Sequence, residues 1–341
     1  MGLKLRRLAA TFLSPVGTAS TTASASDAYH AVLRATAHHP STAPPSAHHL
    51  DALLAFGRGS RLSAAALASA LTDRLHGHGD AAVALKALVA LRILLARGAF
   101  ILRDQILAAL VRHPASGRNP LALAAFPLGR SFATASWVRF SARLLEVLLL
   151  LPDPSTSRGT DAEYLAALPN PCLVSELASF ASVVAAVRQA PPPSCAPQRD
   201  ALIWEAIRLA EEDRVAAERN LAARVREMGE RLDTLVLADA MELVCVLKRV
   251  EETSAASPAP EWKWAGLDES VVAEARRLRE RAEEVLLRLT ERDRRLVRRE
   301  PKASASARVV MPVRAGHGYG YGADVRFGSS RWAGTVSSSW R

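Results

Sequence analysis

The sequence predicts an all-α protein, a solenoid-like stack of short helices followed by longer helical arms. Three observations carry that expectation. Apolar residues recur at spacings of three and four along nearly every informative segment. No run of alternating residues reads as a strand, and no βαβ pattern is present. The helices are too oily to stand alone and are joined by tight turns, so each must bury its face against a neighbour. They share no fixed-period repeat, which weighs against a regular tetratricopeptide or ankyrin array.

Taken in order, "LSAAALASALTDRLH" (62–76) spaces Leu67, Leu71 and Leu75 four apart on one helical face. "GHGD" breaks the run, and "AAVALKALVALRILLARG" (81–98) follows. This second helix is apolar nearly all round, as a helix with neighbours on several sides must be. "AFILRDQILAALVRH" (99–113) starts almost at once and ends at Pro114. A connection through "ASGRNP" and Pro127 leads to "SFATASWVRFSARLLEVLLLLP" (131–152). The apolar face of that helix is Trp137, Phe140, Leu144, Leu145 and Leu148. "AEYLAALP" reads as a short helix, and "CLVSELASFASVVAAVRQA" (172–190) as a fuller one stopped by "PPPSCAP".

The helices then lengthen. Residues 198–226 and 230–252 read as two arms with a break near Met228 and Gly229. Residues 267–300 form a strongly charged helix with Val271, Ala275, Leu278 and Ala282 among its less polar positions. Beyond Pro301 the chain is Ser, Gly and Arg with scattered aromatics, the composition of a disordered tail. The expected organisation is a basic flexible segment over 1–26 and a helical domain over 27–255. A linker with the charged helix, packed on the domain or extending it, follows over 256–300, and the tail over 301–341.

Among the 341 residues, 44 are Lys or Arg against 34 Asp or Glu, a formal charge of +10. That balance favours an anionic partner, a membrane surface or nucleic acid. Only 5% of residues are aromatic, which is lean for a protein that reads nucleic acid by stacking. The arginine-rich "RRLRERAEEVLLRLTERDRRLVRRE" mixes many acids with its bases and offers no clean basic region, so no nucleic-acid partner is expected. Cys172, Cys195 and Cys245 lie far apart with no CxxC, and read as reduced, partly buried thiols. No membrane span is evident, because Lys86, Arg92 and Arg97 interrupt the most apolar stretch, Val83 to Leu102. The N-terminus is basic, rich in Ser, Thr and Ala, and lacks an acid until Asp27. It suits an organellar transit peptide, or a short amphipathic lead-in that orders on a membrane. Myristoylation at Gly2 is disfavoured, since Arg6 stands where Ser or Thr is needed.

Signatures of catalysis are missing: no GxSxG, no HExxH, no GxxxxGK[ST], and no dinucleotide glycine fingerprint after a strand. "GYGYG" (318–322) lies in the polar tail, without the strand and helix that aim amides at phosphate. No enzyme, cofactor or metal is therefore expected. The proline-rich stretch "LRATAHHPSTAPPSAHHL" (33–50) raises one question, because it gathers Arg34 with His38, His39, His48 and His49. Adjacent imidazole pairs do not by themselves converge on a metal, and no carboxylate or cysteine joins them in the segment. Solvated loop histidines and contact with an anionic headgroup remain open, the latter with charge only on the protonated rings.

In order and spacing, "LRATAHHPSTAPPSAHHL", "GDAAVALKALVALRILLARGAFILRDQI", "GRNPLALAAF", "SWVRFSARLLE" and "MELVCVLKRVEE" resemble successive signatures of the plant clathrin assembly proteins. These are ANTH-domain adaptors related to animal CALM and AP180, and the likeness is greatest to the short-tailed plant subgroup. It covers roughly residues 27–255 and continues faintly toward Pro301. The resemblance implies a right-handed α-helical superhelix of the ENTH/ANTH type and a non-enzymatic, monomeric adaptor. It further implies binding to phosphatidylinositol 4,5-bisphosphate and to clathrin heavy chain, and a VAMP-type SNARE as cargo. The implied location is cytoplasmic and peripheral to membrane, at clathrin-coated pits and vesicles, the plasma membrane and the Golgi region, in endocytosis. A helical trafficking protein that handles SNAREs with little lipid or clathrin affinity is the alternative.

The family's lipid site starts with a lysine before Ala-Thr and ends in a lysine-rich run closed by histidine. Here Arg34 stands at the first basic position, before Ala35 and Thr36. Ser46 and His48 fall where lysines are usual, and His49 matches the family's histidine. Arg34 keeps a permanent charge and forked donors suited to phosphate. Ser46 brings no charge and His48 only part of one, while each basic residue near an anionic surface is worth on the order of 1 kcal/mol. Lys4, Arg6 and Arg7 are the residues expected to compensate, if the N-terminal segment lies on the bilayer. Elsewhere, Lys86, Arg92 and Trp137 to Arg139 read as structural, and "EWKWAGL" (261–267) as either a partner grip or a docked loop. "NPL" (119–121) belongs to the domain's own pattern, and "DALLAF" (51–56) sits inside a predicted helix. No Asn-Pro-Phe, Asp-Pro-Phe or Asp-Leu-Leu motif is seen, so clathrin binding rests on resemblance alone.

Overall fold

Eleven α-helices and no strand make up the described residues of the computed structural model, which are 19–76, 79–111, 117–128, 131–151, 161–193, 199–255 and 269–299. The helices are α1 (Ala19–Ala35), α2 (Ala47–Ala55), α3 (Arg61–His76), α4 (Ala81–Arg97), α5 (Phe100–Val111) and α6 (Phe132–Leu148). They continue as α7 (Ala162–Ala167), α8 (Asn170–Val187), α9 (Ala201–Glu230), α10 (Leu237–Ala255) and α11 (Glu269–Arg299). The chain divides into two units, Met1–Arg294 and Arg295–Arg341. Of the second, only the last residues of α11 are described.

Packing runs largely between helices two apart in the chain: α1 on α3, α3 on α5, α4 on α6, α6 on α8 and α8 on α10. That stagger turns a row of helix pairs into an all-α superhelix. At its centre lies α4, touched by α1, α2, α3, α5, α6 and α9. Every residue from Ala81 to Leu91 is buried, which explains an apolar pattern on all sides. Leu85, Leu88, Leu91 and Leu94 are at most 1% exposed, and each contributes about 1.5–3 kcal/mol of burial. The faces predicted for α3 and α6 are the buried ones, with Leu67, Leu71, Leu75, Trp137, Phe140, Leu144 and Leu145 in the core and Leu148 half-buried against it.

Helix ends follow local chemistry. Asp80 caps α4 by accepting from the amides of Ala82 (2.9 Å) and Val83 (3.2 Å). Asp161 and Asp200 cap α7 and α9 in the same way. Gly98 stops α4 where a Cβ would stand 2.4 Å from the Leu94 carbonyl oxygen, a position no larger residue fills without shifting the turn.

Several expectations are corrected. The first helix starts at Ala19, inside the segment expected to be a flexible lead-in; no Gly or Pro interrupts the Ala, Ser and Thr between Ala19 and Asp27. The two long arms do not part at Met228 and Gly229, because α9 runs through both to Glu230. The break falls at 231–236, around a 3₁₀ turn at Leu232–Thr234. Met228 is fully buried and holds the helix in phase. Arg281 Nη2 of α11 donates to the Gly229 carbonyl at 3.2 Å, and a Cβ at Gly229 would meet Arg281 and Leu278 only at ordinary contact distance, 3.9 and 4.0 Å. Cys172 and Cys245 are exposed free thiols rather than partly buried ones, since both sit on outward faces of α8 and α10. Among the described residues one helix, α8, is long and apolar enough to cross a membrane, yet half of that span is buried in the fold, where it packs against α6, α9 and α10.

Candidate functional site

The corner between α1, α2 and the start of α4 holds the candidate site. Arg34 occupies the last turn of α1, is exposed, and forms no ion pair with a described residue. Two residues on, Thr36 is fully buried and turns its hydroxyl back to the Val32 carbonyl at 2.7 Å. Arg74 of α3 reaches the same residue, with Nε 3.0 Å from Thr36 Oγ1 and Nη2 3.2 Å from the Thr36 carbonyl. The chain thus leaves α1 by a fixed exit.

The loop over residues 37–46 is tethered from outside. Lys86, 3% exposed in the middle of α4, donates from Nζ to the carbonyls of Ala37 and Pro40, both at 2.7 Å. His38 Nδ1 pairs with Asp80 Oδ2, so the carboxylate that caps α4 also holds the loop. The Leu202 amide at the head of α9 donates to the Thr42 carbonyl at 2.8 Å. Pro45 is buried, and Ser46 caps α2 by accepting from the His49 amide at 3.3 Å. His48 is exposed and His49 half-buried, with ring centroids 5.8 Å apart.

Charge at this corner is arranged asymmetrically. Burial alone would raise the Asp80 carboxyl, but donation from the Val83 and Ala82 amides and the neighbouring His38 outweigh it and hold the group below its ordinary value. Burial lowers the Lys86 ammonium, and the charge of Asp80 offsets only part of that. Burial likewise lowers Arg74.

Of the expected site residues, Arg34, His48 and His49 lie at the two ends of one tethered loop, on helices α1 and α2 that pack together. Lys4, Arg6 and Arg7 lie outside the described residues, as do "EWKWAGL", Cys195, the glycine-rich tail and the termini of the chain. His38 and His39 form a separate pair, 4.4 Å between ring centroids, and of the two His38 is engaged by Asp80. Among the described residues no three of His, Cys, Asp and Glu gather as metal ligands.

Other singled-out residues are structural. Arg92 clamps Asp213 of α9 through Nε at 2.8 and 3.0 Å. Arg139 donates to the Phe126 carbonyl at 2.9 Å. Asn119 accepts from the Leu121 amide and donates to Glu146, both at 2.8 Å, so "NPL" is folded into a turn. Asp51 to Ala55 lie within α2 and Phe56 opens the 3₁₀ turn after it. The network of Lys86, Arg74 and Asp80 went unread in the sequence. Its one visible signal was a lysine amid the otherwise apolar run from Ala81 to Leu91.

No family model matches the chain. It is 36% identical over 252 residues to an Arabidopsis thaliana protein named as a clathrin assembly protein. The aligned part is 68% of this chain and 66% of the relative, so it spans just under two thirds of that protein's length.

Proposed function

From its homology to a clathrin assembly protein, we propose that this chain is a peripheral membrane adaptor. In this reading it docks on phosphoinositide headgroups and serves the formation of clathrin-coated vesicles. The observation that carries the reading is the exposed Arg34, without an acidic partner among the described residues, beside the tethered loop that leads to His48 and His49. A guanidinium offers a phosphate two parallel donors, and imidazoles add charge when protonated. Phosphatidylinositol 4,5-bisphosphate is the headgroup of choice because its two ring phosphates span more than one cation. An ANTH-type domain is the unit that the resemblance assigns to residues 27–255, and clathrin and VAMP-type SNAREs are the partners that go with it.

Sedimentation of the full chain with phosphatidylcholine vesicles, with and without phosphatidylinositol 4,5-bisphosphate, tests this reading. Binding that needs the phosphoinositide and drops about fivefold or more with Arg34→Ala is the expected result, from roughly 1 kcal/mol per basic residue at an anionic surface. Equal pelleting of the wild type with both vesicles removes the lipid claim. Recovery of clathrin on immobilised full-length chain tests the coat contact separately, and no recovery removes that part.

A further inference from the structure

We propose that Lys86 is the positioning residue of the headgroup loop: from inside α4 it holds residues 37–40 so that Arg34 and the His48–His49 pair face a phosphoinositide together. This rests on the phosphoinositide reading above. The observation behind it is a misfit between Lys86 and its helix. From Ala81 to Leu91 every other residue is apolar and buried, and Lys86 is buried with them. An ammonium in such a place is costly unless its donors are satisfied, and a methionine there would pack with less penalty.

The donors of Lys86 go to the loop. Its two acceptors among the described residues are main-chain carbonyls, Ala37 and Pro40, both at 2.7 Å. Neither is a carboxylate; Asp80 acts on the ammonium only through its field. The loop has little to hold itself, since the Ala43 amide reaches the Pro40 carbonyl only at 3.4 Å. Its shape is therefore imposed from outside, by Arg74 at Thr36, Asp80 at His38, Leu202 at Thr42 and Lys86 in the middle. Of these tethers only Lys86 grips two points of the main chain three residues apart, which sets the direction of the turn.

Such a tether raises affinity without touching the ligand. A loop already in its bound geometry gives up less freedom on binding, and apparent affinity scales with the fraction of molecules in the competent form. Without the tether, a competent fraction of about one tenth weakens binding about tenfold.

The test compares wild type with Lys86→Met, both as the full chain, on phosphatidylcholine vesicles containing phosphatidylinositol 4,5-bisphosphate. Backbone order parameters of residues 37–45 are measured in the absence of lipid. The expected result is about tenfold weaker binding by Lys86→Met, with unchanged helical content and a wild-type loop that is rigid before any lipid is added. Order parameters near about 0.85 indicate that rigidity, and values below about 0.6 a loose loop. Equal affinity of the two proteins overturns the proposal. So does a loose loop in the free wild type, whether or not Lys86→Met folds. If wild type ignores the phosphoinositide altogether, the lipid reading falls, while the order parameters still decide whether Lys86 sets the loop.

Discussion

Arg74 and Thr36 meet across 38 residues of sequence, with the guanidinium gripping both the hydroxyl and the carbonyl of the threonine at 3.0 and 3.2 Å. This joins the ends of α1 and α3 immediately behind Arg34. Thr36 is fully buried, so its hydroxyl has no water to fall back on. Replacing it with valine keeps the shape and removes one acceptor of the Arg74 grip. The expected loss is about 1–2 kcal/mol of unfolding free energy, read from the urea midpoint at unchanged slope. A midpoint equal to the wild type's would show that the hydroxyl adds nothing to the junction.

The pair of Arg92 and Asp213 ties α4 to α9, and the carboxylate is 4% exposed. Removing Asp213 leaves the half-buried Arg92 charge without its partner, so Asp213→Ala is expected to cost up to about 3 kcal/mol. Replacing both, as Arg92→Met with Asp213→Leu, is expected to recover most of that loss, because two apolar groups need no partner. Denaturant unfolding of the two single variants and the double variant checks this. Additive losses in the double variant would mean that the two side chains act independently.

The fold was legible because helix faces are local information. Leu67, Leu71 and Leu75 announce the buried side of α3 whatever packs on them, and the all-round apolar pattern of α4 announces its central place. The break after α9 was misread because Gly229 disfavours a helix by propensity, a local preference that the packing of α9 overrides up to Glu230. At the candidate site, Arg34, His48 and His49 stood out in the sequence as basic or polar residues around a proline-rich stretch; the structure sets Arg34 at the end of α1 and the histidines on α2, with His49 half-buried. What aims them was not legible, since Lys86 to Ala37 and Arg74 to Thr36 are contacts across 49 and 38 residues. Spacing along the chain carries no trace of such pairs.

Trp137 supplies a finding that runs against its expected chemistry. Its ring is fully buried and meets Phe140 edge-on at 5.1 Å, but its indole Nε1 has no hydrogen-bond partner among the described residues. A buried donor without a partner costs about 1–3 kcal/mol, while the ring's burial stabilises the fold. Trp137→Phe removes the orphan donor and part of the apolar area together. The two effects oppose each other, so the expected change in unfolding free energy is within about 1 kcal/mol. Trp137→Ala has no such compensation and is expected to cost about 3–5 kcal/mol. Thermal unfolding of both variants separates the packing contribution from the polar one.

Asp80 links stability to pH in a direction its surroundings dictate. Its folded carboxyl titrates below the ordinary value of 3.8. The unfolded chain therefore binds the proton first as pH falls. The contribution of the charge is complete above the unfolded value, and is lost as pH drops through the folded one. Asp80→Asn keeps a competent helix cap and removes only the charge. Wild type should then exceed the variant in thermal midpoint at neutral pH, and the gap should narrow as the pH falls below the ordinary value of 3.8 toward the lowered folded one. A gap that stays constant over that range would assign the whole effect to cap geometry.

Ser46 and His48 stand where the resembling adaptors carry lysine, and their structural roles differ. His48 is exposed on the first turn of α2, so lysine there adds charge at no structural expense. Ser46 is the cap of the same helix and accepts from the His49 amide. A lysine at Ser46 adds charge but deletes the cap, a loss of about 1 kcal/mol. On phosphoinositide vesicles each substitution is expected to strengthen binding about fivefold, from roughly 1 kcal/mol per added basic residue. His48→Lys should also flatten any gain in binding between about pH 7.5 and 5.5, because a lysine keeps its charge across that whole range. Only Ser46→Lys should lower the urea midpoint. Stronger binding by neither variant would place the lipid surface elsewhere on the molecule, and a stability loss in both would mean that His48 is needed by α2 itself.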